Sequence, residues 1–327
     1  MEKLFQKISF TSATLVLILL LGIFTTLYIS AKPAIDEFGL HFIVDKRWNQ
    51  EVPLAQSDDS LTQAQESASE SEEISDDASV DDEDDMMILD EDDEEAADTK
   101  TVYGGLVPIV GTLLSTLIAL TFALPIAMGI AVFLAEIASK NVSKYVGIAI
   151  ELLAAIPSII FGMWGLYYFA PIISDAFGGY QVSLLTAGLV LGVMILPFMA
   201  AVTRDSMNTT PDVLKESAYA LGATKFEVVK DVIFPYSKVG IIGSIILALG
   251  RALGETMAVA FLIGAVYSLP EKIADPTISI PVAMAVNFGE ASGLGESALF
   301  YLGLILFIMS FAIISLAKFY FLKRVKS

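Results

Sequence analysis

Two charged residues, Arg251 and Glu255, lie in an otherwise uncharged apolar stretch from Val239 to Gly264. Residues four apart on a helix share one face, so the two side chains are predicted to lie together. One interpretation is a structural ion pair that fixes helix packing. The other is an anion pathway, in which Arg251 supplies positive potential and Glu255 balances its charge when no anion is present. Charges inside apolar spans mark functional sites by default, so we favour the pathway.

The loop 204–237 contains signals for a short helix that ends at a sharp corner. Thr210 suits the cap position before that helix, and Pro211 suits its first position. Gly222 suits a left-handed residue that ends it, because glycine adopts this conformation without steric cost. The spacing therefore predicts one helix from Pro211 to the corner at Gly222.

A second short helix is predicted directly after this corner. Thr224 and Glu227 have the spacing of a capping box, in which each side chain bonds the other residue's backbone N–H. We expect this helix to end before Pro235. Two rigid helices around a tight corner form a projecting surface, which favours a partner protein with a matching groove.

Residues needed for catalysis are scarce in this chain. It has no Cys and only one His, His41, which excludes thiolate metal sites and makes metal or nucleophilic catalysis improbable. The phosphate-binding pattern G-x-x-x-x-G-K-[ST] is also missing, so no ATP hydrolysis of the usual kind is expected. We therefore predict no catalytic residues, no metal and no cofactor, with energy supplied by another protein.

Six apolar stretches are each long enough to cross a bilayer, for which a helix needs about 20 residues. The predicted spans are Thr11–Ile29, Thr101–Ala135, Tyr145–Phe169, Ala176–Thr203, Val239–Gly264 and Ser297–Ala317. The third contains Glu151, which we expect to reach the interface or to pair with a neighbouring helix. These spans predict an all-α polytopic membrane protein with six transmembrane helices. The first span is interpreted as a retained helix rather than a signal peptide, because its apolar stretch is long.

Basic residues predict the orientation of these spans. With the N-terminus inside, 13 Lys and Arg lie in cytoplasmic pieces and 5 lie outside, as the positive-inside rule requires. Both termini are therefore predicted to be cytoplasmic in a cell (inner or plasma) membrane, and residues 31–100 to face outward.

Residues 31–100 carry 24 of the 38 Asp and Glu but only 4 of the 19 Lys and Arg. The remaining chain has 14 acidic and 15 basic residues, so it is nearly neutral. Self-repulsion predicts a largely disordered acidic insert. Calcium binding is disfavoured because the insert's only Gly, Gly39, lies outside the acidic runs. A nucleic-acid partner is excluded, since phosphate backbones bind clustered Lys and Arg.

The loop 204–237 resembles the EAA loop of ABC-importer permeases, whose pattern is E-A-A-x₃-G-x₉-I-x-L-P. Glu216, Ala218, Gly222 and Pro235 match it in register. Ser217, Val232 and Phe234 are mild departures in size or shape. This resemblance implies the type I ABC importer permease core, in which the EAA loop docks into a cleft of the ATPase subunit. Glu216, Ser217, Ala218, Gly222 and Pro235 are then the predicted coupling residues.

Three further motifs resemble the phosphate-import permeases of the Pst system. They are Glu151–Ser158, Met194–Phe198 and Gly250–Ala258. A leading helix followed by a large outward loop is more similar to PstC than to its sister PstA. The resemblance divides the chain into a first helix (1–30), the acidic insert (31–100) and a permease core (101–322).

This resemblance also implies partners. They are a second, PstA-like permease that completes the pathway, a PstB-like ATPase dimer and an extracytoplasmic PstS-like phosphate-binding protein. A permease for sulfate or molybdate is the alternative within transport. The alternative from another class is a membrane receptor or scaffold that uses the acidic insert, and the ordered EAA helices argue against it.

Overall fold

The computed structural model describes residues 2–53 and 99–325. Two compact units divide the chain: Met1–Lys46 with Gly104–Ser327 form the first, and Arg47–Tyr103 form the second. The run 54–98, for which disorder is predicted, lies outside the described residues.

The first unit is built of helices. In chain order they are α1 (Glu2–Phe38), α2 (Leu106–Val132), α3 (Lys140–Ala154), α4 (Ser158–Trp164), α5 (Ala170–Phe177), α6 (Leu184–Asn208), α7 (Asp212–Ala220), α8 (Lys225–Glu227), α9 (Phe234–Leu253), α10 (Met257–Ala260), α11 (Ile280–Asn287) and α12 (Leu294–Val325). Wider π-helical turns at Phe133–Ile137, Gly165–Phe169 and Val228–Ile233 extend α2, join α4 to α5 and join α8 to α9.

Six helical segments in the described part of the chain are long and apolar enough to cross a membrane. They are Leu4–Phe38, Leu106–Ile137, Ser158–Phe177, Leu184–Asn208, Lys225–Leu253 and Leu294–Phe319. This confirms the predicted number of spans and the all-α membrane fold. The first span continues to Phe38, beyond the predicted boundary at residue 30, with Pro33 inside the helix.

The core of the first unit lies where α2 packs on α6 and α9. Fully buried alanines recur every fourth residue along α2, at Ala119, Ala123, Ala127 and Ala131. A methyl group added to Gly192 of α6 would collide with Ala119 and Phe122 of α2. Such small residues let transmembrane helices approach closely, which is how they gain packing energy in the absence of a hydrophobic driving force.

Two side-chain contacts join pairs of helices, α6 with α9 and α1 with α12. The hydroxyls of Thr203 in α6 and Ser244 in α9 are 2.8 Å apart and buried. The rings of Phe24 in α1 and Phe307 in α12 lie 5.7 Å apart. The outer helix α1 leaves most of its apolar side chains exposed, as a helix that faces lipid does.

The third span differs from the predicted Tyr145–Phe169. The helix stops at Ala154 and a new one starts at Ser158, since Pro157 is extended with ψ 139°. Proline lacks an N–H and disfavours helix in the preceding residue, so it breaks the predicted span. The spanning segment is Ser158–Phe177, and α3 is a separate amphipathic helix.

The fifth span also differs from its predicted bounds, Val239 to Gly264. It begins at Lys225 and ends at Leu253, where the chain turns at Gly254. The following segment, 254–293, folds back along the bundle with α10 and α11. There the Asn287 amide donates to the Tyr267 hydroxyl (2.7 Å), and burial raises the pKa of this phenol, so it stays neutral at physiological pH.

The described part of the second unit is a two-stranded antiparallel sheet. Strands β1 (Trp48–Pro53) and β2 (Thr99–Tyr103) pair with Glu51 opposite Thr101, and the register shifts between Trp48 and Gln50. The rings of Trp48 and Tyr103 meet edge to face, with centroids 5.3 Å apart. The segments on either side of residues 54–98 are therefore held together by backbone hydrogen bonds.

Candidate functional site

The structure places Arg251 and Glu255 on different elements, which corrects the prediction that they share a helical face. Arg251 lies in the last turn of α9, whereas Glu255 lies after the turn at Gly254. The Glu255 carboxylate accepts the Ala258 N–H (3.4 Å) at the start of α10. Among residues 2–53 and 99–325, no ion pair joins Arg251 to Glu255.

Arg251 is exposed and Glu255 is half-buried in the single chain. A guanidinium at the end of a spanning helix interacts favourably with the helix dipole, but it still needs water, an anion or a polar partner. Nearby Leu247 is 56% exposed on the same helix. This part of α9 therefore presents a charge within an apolar surface that the chain itself does not cover.

The predicted corner between two short helices is present. Helix α7 ends after Ala220, and Gly222 adopts φ +90°, the left-handed conformation expected for it. The capping box is also confirmed: Thr224 accepts the Glu227 N–H, while the Glu227 carboxylate accepts the Thr224 N–H at 2.7 Å. We call residues 212–227, with both helices and the corner, the knob.

Two details of this loop differ from the prediction. Helix α7 starts at Asp212, with Pro211 rather than Thr210 in the cap position. The Thr210 hydroxyl is buried and has no hydrogen-bond partner in the described part of the chain, so it does not cap α7. The second helix does not end before Pro235, because the π-helical turn Val228–Ile233 carries it into α9. Such a turn tolerates proline, since the hydrogen-bond pattern is already shifted there.

The predicted coupling residues divide between the surface and the interior. Glu216, Ser217, Gly222 and Pro235 are exposed, whereas Ala218 is half-buried. The Ser217 hydroxyl donates to its own helix, at the carbonyl of Val213 (2.7 Å), so its hydrogen bond is satisfied within α7 where the EAA pattern has Ala. The exposed set is therefore free to contact another protein.

One side of the knob is anchored and the other is open. Ala218 packs against a buried apolar cluster, which comprises Ala131, Met207, Val228, Val229, Ile233 and Ile241. The apolar residues of the open side include Leu221 and Phe226, which are 89% and 72% exposed. Exposed apolar patches on a rigid element mark protein interaction sites.

A half-buried ion pair also holds the knob, and sequence reasoning missed it. The Lys215 ammonium of α7 lies 2.7 Å from the Glu136 carboxylate, in the π-helical turn that ends the second span. Their side chains are only 16% and 10% exposed. The residues are 79 positions apart, so no local sequence pattern predicts the contact.

Glu151 pairs with a neighbouring helix, as one of its predicted alternatives states. Its carboxylate accepts the Arg204 guanidinium of α6 at 3.2 Å, and Asp205 accepts the same group at 2.8 Å. Gly147 of α3 leaves room for the guanidinium, because an added methyl group would collide with it. These contacts fix the short helix α3 to the end of α6.

Three comparisons place these features among known proteins. A family model described as binding-protein-dependent transport system inner membrane component matches residues 123–327. The chain is similar to the phosphate transport system permease protein PstC of Haemophilus influenzae, with 38% identity over 97% of this chain and 92% of that protein. With the PstC of Pasteurella multocida it shares 44% identity over 66% of this chain and 74% of that protein.

A solved structure has the same fold. The crystal structure of the bacterial alginate ABC transporter, in complex with an alginate pentasaccharide-bound periplasmic protein, matches 68% of this chain and 80% of the solved chain. The TM-score is 0.53 at 16% sequence identity. The likeness concerns the fold alone.

Proposed function

Because this chain belongs to the family of binding-protein-dependent transport system inner membrane components, we propose that it is a permease subunit of an ATP-driven phosphate importer. Relatives that match nearly the full length of the chain are phosphate transport system permease proteins. We infer the substrate from this similarity. The chain would form half of the transmembrane pathway, with a second, PstA-like permease forming the other half.

Phosphate uptake tests this substrate. In cells that lack their own phosphate importers, the complete transporter is expected to take up radiolabelled phosphate, and excess unlabelled phosphate should compete. Excess sulfate or molybdate should leave uptake unchanged. Equal competition by either oxyanion would contradict the proposal and favour a different oxyanion permease.

We propose that the knob docks into an ATPase subunit, one of a PstB-like dimer. Three observations support this proposal. The knob exposes Leu221 and Phe226 at a rigid corner, it is anchored on the helical bundle through Ala218, and its second helix continues into the fifth span. An apolar surface of this kind binds a groove on a partner by burial. Closure of the ATPase dimer would then move the fifth span directly.

Co-purification of the ATPase tests docking. Leu221→Asp places a charge in the proposed interface without disturbing the fold, because Leu221 makes little contact with the rest of the chain. We expect it to reduce the ATPase recovered with the permease by at least tenfold. Leu4→Asp is the matched control, since Leu4 is 64% exposed at the start of α1, far from the knob along the chain. Unchanged recovery with Leu221→Asp would refute the docking role.

We propose that Arg251 lies on the phosphate pathway, with Glu255 as its negatively charged neighbour. The support is the exposed guanidinium on an apolar helix, because a second permease that covers α9 would turn it into a lining residue. Arg251→Ala is expected to abolish phosphate uptake while the ATPase still co-purifies. Arg251→Lys should retain part of the uptake, since the charge remains but the bidentate fork is lost. Normal uptake by Arg251→Ala would exclude the pathway role.

The proposed orientation places the knob and both termini in the cytoplasm and the acidic insert outside, where a PstS-like binding protein delivers phosphate. The supporting observation is the distribution of Lys and Arg. The chain contains no Cys, so single cysteines report sidedness without background. An impermeant thiol reagent should label a cysteine in the insert, such as Ser75→Cys, in intact cells. It should label Leu221→Cys only after lysis, and the reverse pattern would invert the topology.

A further inference from the structure

A cavity of about 510 Å³ lies between α3, the π-helical turn that follows α2 and the end of α6, and the transport proposal does not use it. Leu134, Ala135 and Ile148 form part of its apolar wall. Its polar wall includes Lys140, Ser143, Lys144, Arg204 and Asn208, together with the carboxylates of Glu151 and Asp205. The cavity therefore combines an apolar floor with several cationic or donor groups at one end of the bundle.

The charges of this wall are unevenly balanced. Arg204 is already neutralised, because its guanidinium donates to Asp205 at 2.8 Å and to Glu151 at 3.2 Å. Lys140 and Lys144 are one turn apart on α3 and exposed, and in the described part of the chain neither forms an ion pair. With Lys140, Lys144 and Arg204 positive and Glu151 and Asp205 negative, the charges that line the cavity sum to one net positive charge.

The two faces of α3 differ in character. Lys140, Lys144, Gly147 and Glu151 follow the helical repeat on the cavity side. The opposite side is apolar and exposed: Val142 is 43%, Tyr145 71% and Leu152 66% exposed. A short helix with an exposed apolar face opposite a basic face is typical of helices that lie in the membrane interface. The break at Pro157 lets α3 leave the direction of the third span and adopt that position.

We propose that α3 is an interfacial helix and that the cavity binds the phosphate headgroup of an anionic phospholipid. The lysines of the cavity wall would contact the phosphodiester, and the acyl chains would lie along the apolar wall at Leu134, Ala135 and Ile148. Basic pockets between spanning helices bind anionic headgroups in this way. The inference requires only that the chain spans a membrane, so it stands or falls separately from phosphate transport.

Lipid binding to the purified full-length chain tests the headgroup site. Native mass spectrometry is expected to show phosphatidylglycerol retained in preference to phosphatidylcholine. The double variant Lys140→Gln/Lys144→Gln should bind phosphatidylglycerol about 30-fold more weakly, given about 1 kcal/mol per Lys near anionic lipid. The matched control, Lys7→Gln/Lys318→Gln, removes two exposed lysines elsewhere and should bind like the original chain.

Three outcomes would overturn the proposal. The first is equal affinity of the cavity variant and the original chain, and the second is equal losses in the cavity and control variants. The third is release of phosphatidylglycerol by millimolar inorganic phosphate, which would show that the cavity takes free phosphate instead of a lipid headgroup.

Fluorescence quenching tests the position of α3 in the complete transporter. A bimane label on Leu152→Cys should be quenched by brominated lipid as strongly as one on Leu15→Cys, an exposed position of α1. A label on Lys144→Cys should be quenched much less. If only the Leu15 position is quenched, another protein covers the apolar face of α3 and the interfacial proposal is wrong.

Discussion

Removing the charge of Lys215 should weaken the attachment of the knob to the second span. Lys215→Met keeps most of the side-chain volume but leaves the Glu136 carboxylate without its partner at 2.7 Å. Breaking a fully buried ion pair costs about 3–5 kcal/mol, whereas an exposed pair contributes about 0.2–1 kcal/mol. With side chains 16% and 10% exposed, this pair lies between these limits. After allowance for solvent screening, we expect a loss of about 2 kcal/mol in the free energy of unfolding.

Unfolding by SDS in mixed micelles measures this loss, and a double-mutant cycle isolates the pair. The double variant Lys215→Met/Glu136→Leu should recover most of the stability, because two apolar side chains replace two charges. Lys230→Met is the control, since Lys230 and Asp231 are 4.0 Å apart and more than 60% exposed. If Lys215→Met costs no more than Lys230→Met, or if the double variant is the least stable of the set, the pair does not hold the knob.

Three further predictions concern the core and the insert. Gly111→Ala should destabilise the bundle by about 1–3 kcal/mol, because the new methyl group would overlap the Ile278 carbonyl. An unchanged midpoint of SDS unfolding would contradict this contact. Met207→Ala should cost about 2–5 kcal/mol by opening a cavity in the cluster below the knob, whereas Met163→Ala, at an exposed position, should cost far less. Deletion of 55–98 should leave phosphate uptake largely intact, and lost uptake with normal membrane insertion would show that the insert is needed.

Features set by composition or by neighbouring residues could be predicted from the sequence. The length of the apolar stretches predicted the number of spans, because the bilayer requires that length whatever the packing. The corner at Gly222 and the capping box of Thr224 with Glu227 also follow local rules, and both are present. The resemblance to the EAA loop added a functional meaning that these rules do not supply.

Features set by tertiary contacts were predicted less well. Apolar residues continue beyond Pro157 and Gly254. A prediction from hydropathy therefore extended the third span and the fifth span across positions where helices end in the structure. Thr210 has the chemistry of a cap, but its hydroxyl is buried and has no hydrogen-bond partner among the described residues. The partner of Lys215 could not be found from sequence, because contact depends on how two distant helices pack.

The helical segment from Lys225 to Leu253 connects the knob to Arg251 as one rigid arm. It has 29 residues, so at about 1.5 Å per residue it is about 43 Å long. A tilt of about 10° around its midpoint would displace each end by about 4 Å in opposite directions. Arg251 lies two residues from the far end, and the capping box lies at the near end. A single rigid rotation can therefore reposition the guanidinium by more than the length of a hydrogen bond, without any helix having to unfold.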